Sequence, residues 1–148
     1  MKLTFISIAL IFCSLAACEA AFAQPDAGDP YIVPSDSSGE LASREIDSIA
    51  VESRQSGERL FVIARLGAGE KSRRLNLGRL YNTRDYLSGK SFDQSTIVFA
   101  EGERVNGEGR LEFYLGSRLR LVVLAKRNRM PNLTCCDDYF PAARRRIR

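Results

Sequence analysis

The hydrophobic residues in the middle of the chain fall into blocks that predict a strand, a helix and two further strands. Residues 60–64 are an unbroken apolar run, which is typical of a strand buried on both faces of a sheet. A helical pattern follows over residues 72–87, and Gly89 stands where a helix C-cap glycine belongs. Strands are then predicted at residues 96–100 and 110–115. Because the first strand, the helix and the next strand form a βαβ unit, we expect those two strands to be parallel, with a right-handed crossover.

Both predicted helices are amphipathic. The first covers residues 40–54 and ends at Ser56-Gly57; its apolar positions at helical spacing are Leu41, Ile46, Ile49 and Ala50. In the helix at 72–87 the apolar arc should lie on the sheet, and it consists of Leu77, Leu80, Thr83 and Leu87. The opposite arc carries Arg74, Gly78, Asn82 and Asp85.

A tight hairpin is predicted at Gly116-Ser117, between the strand at 110–115 and a last strand at 119–125. A two-residue loop would place Phe113 opposite Arg120. A three-residue loop would place Phe113 opposite Leu121, and we prefer it because it matches apolar with apolar.

These elements predict an α/β (α+β) fold, namely a small two-layer sandwich with a mixed sheet, a βαβ unit and a C-terminal β-hairpin, and with the helices packed on one face. We expect one domain over residues 40–130, which is long enough for one hydrophobic core. Residues 24–39 are rich in Pro, Asp, Ser and Gly and predict a disordered linker. Residues 131–148 predict an irregular basic tail.

The first residues predict export. Lys2 is followed by an apolar stretch that is too short for a stable transmembrane helix, as in a signal peptide. Ala21-Phe22-Ala23 has the form cut by signal peptidase, which gives a signal of residues 1–23. Alternatively, Leu15-Ala16-Ala17-Cys18 is similar to the lipobox of bacterial lipoproteins, with a signal of residues 1–17 and a lipidated Cys18. Cys18 could also be a small apolar residue of the signal. Either way we expect a periplasmic or membrane-anchored protein of the cell envelope, associated with a membrane only if Cys18 is lipidated.

The formal net charge of +4 is concentrated at the C-terminal end, where residues 118–148 hold nine Lys or Arg against two Asp. Arg144, Arg145, Arg146 and Arg148 are candidate contacts for an anionic surface or partner. The alternative is a solvated tail that aids solubility. We expect no nucleic acid partner, because the aromatic residues do not interleave with the basic cluster.

The chain carries no catalytic signature. It has no histidine and no nucleophile motif, and its glycines match no phosphate loop. Cys135 and Cys136 are adjacent, so a disulfide between them would be strained, and we expect neither a metal site nor a cofactor. A hydrolase built on Glu101 and Glu103 is the remaining enzymatic alternative, and we expect no enzyme.

The segments between residues 60 and 115 follow an order seen in a known family. They are the strand at 60–64, the helix from Arg74-Leu75-Asn76-Leu77-Gly78-Arg79-Leu80 to Arg84-Asp85-Tyr86-Leu87, the stretch Phe92-Asp93-Gln94-Ser95-Thr96-Ile97, the turn Ala100-Glu101-Gly102-Glu103 and the strand Arg110-Leu111-Glu112-Phe113. This order resembles the C-terminal, peptidoglycan-associating domain of the outer membrane protein A (OmpA-like) family.

The resemblance implies a ligand-binding role for Arg79. In the family a helix arginine and an aspartate in the turn after the first strand hold a cell-wall peptide carboxylate, and a guanidinium suits that task because it binds a carboxylate bidentately. Arg79 matches the arginine, whereas residues 65–69 stand where the aspartate would be, and the family's second long helix is missing. The alternative for Arg79 is an exposed helix residue near Leu75 and Tyr86.

Together these observations predict an exported, non-catalytic, envelope-associated binding or structural protein, with peptidoglycan or another envelope component as its partner. The alternative is a module that binds anionic partners through its Arg-rich C-terminus.

Overall fold

The computed structural model describes residues 28–131 and Leu133. The predictions for the signal peptide, for Cys18, for Cys135 and Cys136, and for Arg144, Arg145, Arg146 and Arg148 lie outside these residues. Among the helices that the structure describes, none is both long and apolar enough to cross a membrane.

The described part of the chain contains five strands and two α-helices around one core. In chain order they are β1 (Tyr31–Val33), α1 (Gly39–Ser56), β2 (Leu60–Arg65), α2 (Arg73–Gly89), β3 (Ile97–Glu101, preceded by a 3₁₀ turn at Gln94–Thr96), β4 (Gly109–Leu115) and β5 (Arg118–Ala125). The sheet order is β1-β5-β4-β2-β3. The pairs β1–β5 and β2–β3 are parallel, and β2–β4 and β4–β5 are antiparallel. The predicted small α+β sandwich with a mixed sheet, a parallel β2–α2–β3 unit and a C-terminal hairpin is therefore confirmed.

Helix α1 agrees with the prediction and has clear signals at both ends. The Ser38 side chain accepts a hydrogen bond from the backbone N–H of Leu41, which caps the first turn. Gly57 ends the helix in the left-handed conformation, with φ 73°, and its N–H donates to the carbonyl of Ser53. The predicted apolar positions Ile46, Ile49 and Ala50 are buried in the core.

Strand β2 is buried on one face only, so the prediction of burial on both faces is wrong. Leu60, Val62 and Ala64 are fully buried beneath the helices. Phe61 and Ile63 lie on the opposite face and are only half-buried. The physical reason is that both helices pack on the same side of the sheet, and an antiparallel neighbour does not require cover on its second face.

The hairpin combines the two alternatives. Gly116 and Ser117 form a two-residue turn, with Leu115 opposite Arg118, but the register shifts along the pair so that Phe113 faces Leu121. The preferred apolar pairing is thus confirmed and the three-residue loop is wrong. A β-bulge supplies the extra residue, because both Phe113 and Leu121 must reach the core.

The folded domain extends beyond residues 40–130 in both directions. The predicted linker at 24–39 contains β1, which pairs with β5 and buries Val33 to 1% exposure. At the other end, Leu133 of the predicted tail is buried, and its carbonyl accepts a hydrogen bond from the Ser43 hydroxyl. Three residues are too few to show a strand period, and β1 depends on a partner strand about 90 residues away.

Candidate functional site

The face of α2 that packs on the sheet is not the one that apolarity predicts. Leu77 was expected in the core and is 47% exposed, whereas Arg79 is fully buried. The remaining inward residues of α2 are Asn76, Leu80, Thr83 and Leu87. The end of the helix also differs, because Gly89 is its last residue and not a left-handed cap; the left-handed residue is Ser91, with φ 59°.

Arg79 forms a two-point ion pair with Glu70, which is 1% exposed. Its Nη2 lies 2.6 Å from Oε1 of Glu70 and its Nη1 lies 3.0 Å from Oε2. Nη1 also donates to the carbonyl of Arg65 at 3.3 Å, while Nε and Nη2 donate to the carbonyl of Arg129 at 3.3 and 3.1 Å. A guanidinium has five N–H donors, so every one of them is directed at an acceptor of this chain.

Glu70 is held by two backbone donors in addition to Arg79. The N–H of Gly67 donates to Oε2 at 2.8 Å, and the N–H of Asn128 donates to Oε1 at 2.9 Å. Burial raises the pKa of a carboxyl group, but here the bonds from Arg79, Gly67 and Asn128 outweigh it and hold the pKa of Glu70 below its usual value. The carboxylate therefore stays ionised and paired at neutral pH.

The ion pair joins the β2–α2 loop and helix α2 to each other and to the chain after β5, which is distant in sequence. Two glycines allow this close packing. A Cβ on Gly109 would lie 2.3 Å from Oε2 of Glu70 and 2.4 Å from Nη1 of Arg79. A Cβ on Gly67 would lie 2.3 Å from the backbone nitrogen of Gly109. The backbone itself therefore encloses the pair, and neither position tolerates a side chain without rearrangement.

This arrangement bears directly on the ligand-binding role predicted for Arg79. The interpretation of Arg79 as an exposed helix residue is wrong. The carboxylate bound to Arg79 is that of Glu70, which directly follows residues 65–69 and belongs to the chain itself. A ligand carboxylate would reach Arg79 only by displacing Glu70 from this buried pair.

A second charged cluster lies on the face of the sheet opposite the helices. Glu112 is buried there; its Oε2 accepts from Arg65 Nε at 2.8 Å and from the Tyr114 hydroxyl at 2.9 Å, and its Oε1 accepts from Arg110 Nε at 2.7 Å. Burial raises the pKa of Glu112, but these hydrogen bonds more than compensate and lower it. Glu112 raises the pKa of Arg65 through their hydrogen bond, and burial together with Glu112 raises that of Tyr114.

The sequence analysis missed this cluster, although the signal was available. Arg65 pairs directly with Arg110, and Glu112 follows Arg110 by two positions, so all three side chains share one face of neighbouring strands. Two like charges opposite each other on a sheet require a counter-charge, and Glu112 supplies it.

The two carboxylates proposed for a hydrolase differ in their contacts. Glu101 pairs with Arg73, with Oε1 2.8 Å from Nε, while Glu103 is exposed and its carbonyl accepts from Arg65 at 3.4 Å. Among the described residues no group of three or more His, Cys, Asp or Glu side chains could hold a metal ion.

A groove of about 660 Å³ lies between α2 and the edge strand β3. Apolar side chains that are substantially exposed flank it, with Leu77 at 47%, Tyr81 at 63% and Met130 at 43%. The end of Met130 lies against Gly78, where an added Cβ would be 2.1 Å from the Met130 methyl carbon. The Arg84 guanidinium stacks over the ring of Phe99, 4.7 Å from its centre.

Comparison with known proteins gives no relative: no family model matches the chain, and neither a curated protein nor a solved structure matches it. Function must therefore be argued from the site itself.

Proposed function

We propose that the protein is an exported, non-catalytic binding module of the cell envelope, built on an OmpA-like domain, with peptidoglycan as its partner. The observation that supports this proposal best is the use of the buried charges. Glu70, Arg79 and Glu112 are all bonded to groups of the chain, and the pKa of each carboxyl is lowered. They bond loops and strands of the domain to one another.

General acid or base catalysis at neutral pH requires a carboxyl group unlike these buried, ion-paired ones. A catalytic carboxyl needs a pKa raised toward the working pH and an open path to the substrate. Glu70 and Glu112 have neither a raised pKa nor an exposed carboxylate. These are the properties of carboxylates that fix loops and strands in place.

Wall binding by this domain uses its surface, since the N–H groups of Arg79 are already satisfied by internal acceptors. We therefore expect the partner to contact exposed side chains and to leave the ion pair with Glu70 intact. This differs from the contact that the family resemblance implies.

The test is co-sedimentation of the full chain with purified peptidoglycan sacculi at about 0.1 M and about 1 M salt, between which the Debye length falls from about 10 Å to about 3 Å. The matched variant replaces Arg144, Arg145, Arg146 and Arg148 by glutamine. We expect sedimentation that persists at high salt and in this variant. If the protein does not sediment under either condition, the wall proposal is wrong.

The second candidate function is binding to an anionic partner through the Arg-rich end. The clustering of nine basic against two acidic residues in 118–148 favours it. It predicts sedimentation only at low salt and loss of sedimentation in the glutamine variant. Membrane association is a separate matter and depends on lipidation at Cys18, so a Cys18→Ser variant should leave the membrane fraction if the lipobox interpretation is correct.

A further inference from the structure

We propose that the groove between α2 and β3 binds an extended acidic peptide segment of a partner protein, which adds to the sheet as a strand next to β3. The lining of this groove includes neither Glu70 nor Arg79, and peptide binding there requires no binding to the cell wall.

The first support is the open edge of the sheet. Within the described part of the chain β3 pairs with β2 alone. The N–H of Gly102 donates to the carbonyl of Ala64, so by strand alternation the N–H and C=O groups of Phe99 and Glu101 point away from β2. Strand β3 contains no proline, lysine or glycine, which are common protections of an edge. Its outward backbone groups are therefore available to another strand.

The second support is the apolar wall beside that edge. Five large hydrophobic side chains are exposed in the described part of the chain, and Leu77, Tyr81 and Met130 flank this one groove. Alternate side chains on one face of a strand are about 6.8 Å apart, and Leu77 and Tyr81, one helical turn apart, are separated by about 6 Å along α2. Two alternate apolar residues of an added strand would thus meet the two side chains in succession.

The third support is charge. The guanidinium of Arg84 stacks on Phe99 and makes no hydrogen bond within the described residues. Arg73 is bonded to Glu101 through Nε, and its side chain is 79% exposed. Arg73, Leu77, Tyr81 and Arg84 lie within an arc of about 80° on α2, given about 100° per residue. An acidic residue complements these cations when it stands on the same face of the added strand as the apolar pair, two positions before or after it, whereas the groove of a second copy would bring the same cations again.

The alternative edge serves as a matched control. Strand β1 is also terminal and carries the exposed side chains Tyr31 and Ile32. It has only three residues. Substitutions there change exposed apolar area without touching the α2–β3 groove.

The experiment measures, by fluorescence anisotropy, the binding to the full chain of a labelled, capped ten-residue valine–glutamate peptide, which carries glutamate, valine, valine and glutamate at alternate positions and threonine at the others. We expect saturable binding, protection of the Phe99 and Glu101 amides from hydrogen exchange, and an affinity loss of roughly tenfold or more in a Leu77→Ser, Tyr81→Ser variant, which corresponds to about 1.4 kcal/mol. The Tyr31→Ser control should bind as the native chain does. Because Leu77, Tyr81 and Tyr31 are exposed, all variants should fold, which circular dichroism checks.

Three results would overturn the proposal. The first is equal binding of a peptide whose backbone nitrogens are all methylated, since strand addition needs the N–H groups of the edge that faces β3. The second is the absence of saturable binding below about 1 mM, the weak limit of specific recognition. The third is a concentration-dependent dimer, seen by sedimentation, that the Leu77→Ser, Tyr81→Ser variant abolishes, since a second copy would then be the occupant.

Discussion

Replacing Arg79 by methionine tests whether the buried ion pair stabilises the fold as its geometry indicates. The substitution leaves the Glu70 carboxylate at 1% exposure, with the N–H groups of Gly67 and Asn128 as its remaining donors. Removing one partner of a buried pair typically costs about 3–5 kcal/mol, because the other charge is left uncompensated. A domain of this size has a free energy of unfolding of roughly 5–15 kcal/mol, so the variant should lose about a fifth of it or more.

The assay is urea unfolding at pH 7, followed by circular dichroism, for a double-mutant cycle of Arg79→Met and Glu70→Gln. Each single variant should lose about 3–5 kcal/mol, and the double variant should lose no more than either one, because it leaves no unpaired charge. Arg79→Lys keeps the charge but cannot donate two parallel hydrogen bonds, so an intermediate loss is expected. A loss below about 1 kcal/mol for Arg79→Met, or strict additivity in the cycle, would refute this reasoning.

Other predictions follow from the carboxylates, the glycines and the first strand. The pKa of Glu112 is lowered in the folded state, so its contribution to stability is present above the unfolded pKa of about 4.3 and is lost as the pH falls through the folded pKa. A Glu112→Gln variant should therefore lose less of its free energy of unfolding in acid than the native chain does. Glycine-to-alanine changes at two positions should have opposite effects on the free energy of unfolding, measured with urea. Gly78→Ala should raise it by up to about 1 kcal/mol, because the added methyl group meets only the flexible end of Met130. Gly109→Ala should lower it by about 1–3 kcal/mol, because the added methyl group would overlap the buried ion pair. Val33→Ala should lose about 1–3 kcal/mol in the same assay, since β1 belongs to the core; no change would contradict that assignment.

Much of the fold could be predicted because its signals are local. Helix α1 has an N-cap serine, a periodic apolar face and a terminal glycine. Gly116 indicates the turn of the hairpin between β4 and β5. The pairing of Phe113 with Leu121 in this hairpin could be predicted because both side chains must be buried. The β-bulge that allows this pairing could not be predicted from the hydrophobic pattern. Strand β1 was missed because its stability comes entirely from a distant partner, and nothing in three residues indicates it.

The candidate site was harder to predict for a different physical reason. A hydrophobic pattern assigns Leu77 to the core and an arginine to solvent, and this rule fails when a charged pair can satisfy every donor and acceptor inside. Arg79 and Glu70 are nine positions apart across a loop, so no helical or strand period connects them. The cluster around Glu112 obeys strand alternation and could have been found from the sequence.

The buried ion pair and the exposed groove have the same cause. At about 100° per residue, Leu77 and Tyr81 each lie about 160° around α2 from Arg79, so a helix that turns Arg79 onto the sheet must turn both apolar side chains outward. A variant with Glu70→Gln and Arg79→Gln removes the ion pair and adds no apolar residue to the inner face, so only the other inward residues of α2 then favour this orientation. If the groove exists because of the ion pair, this variant should fold and bind the valine–glutamate peptide more weakly than the native chain. Unchanged binding in a folded variant would show that the orientation of α2 is set by its other inward residues, such as Leu80 and Leu87, which are buried as well.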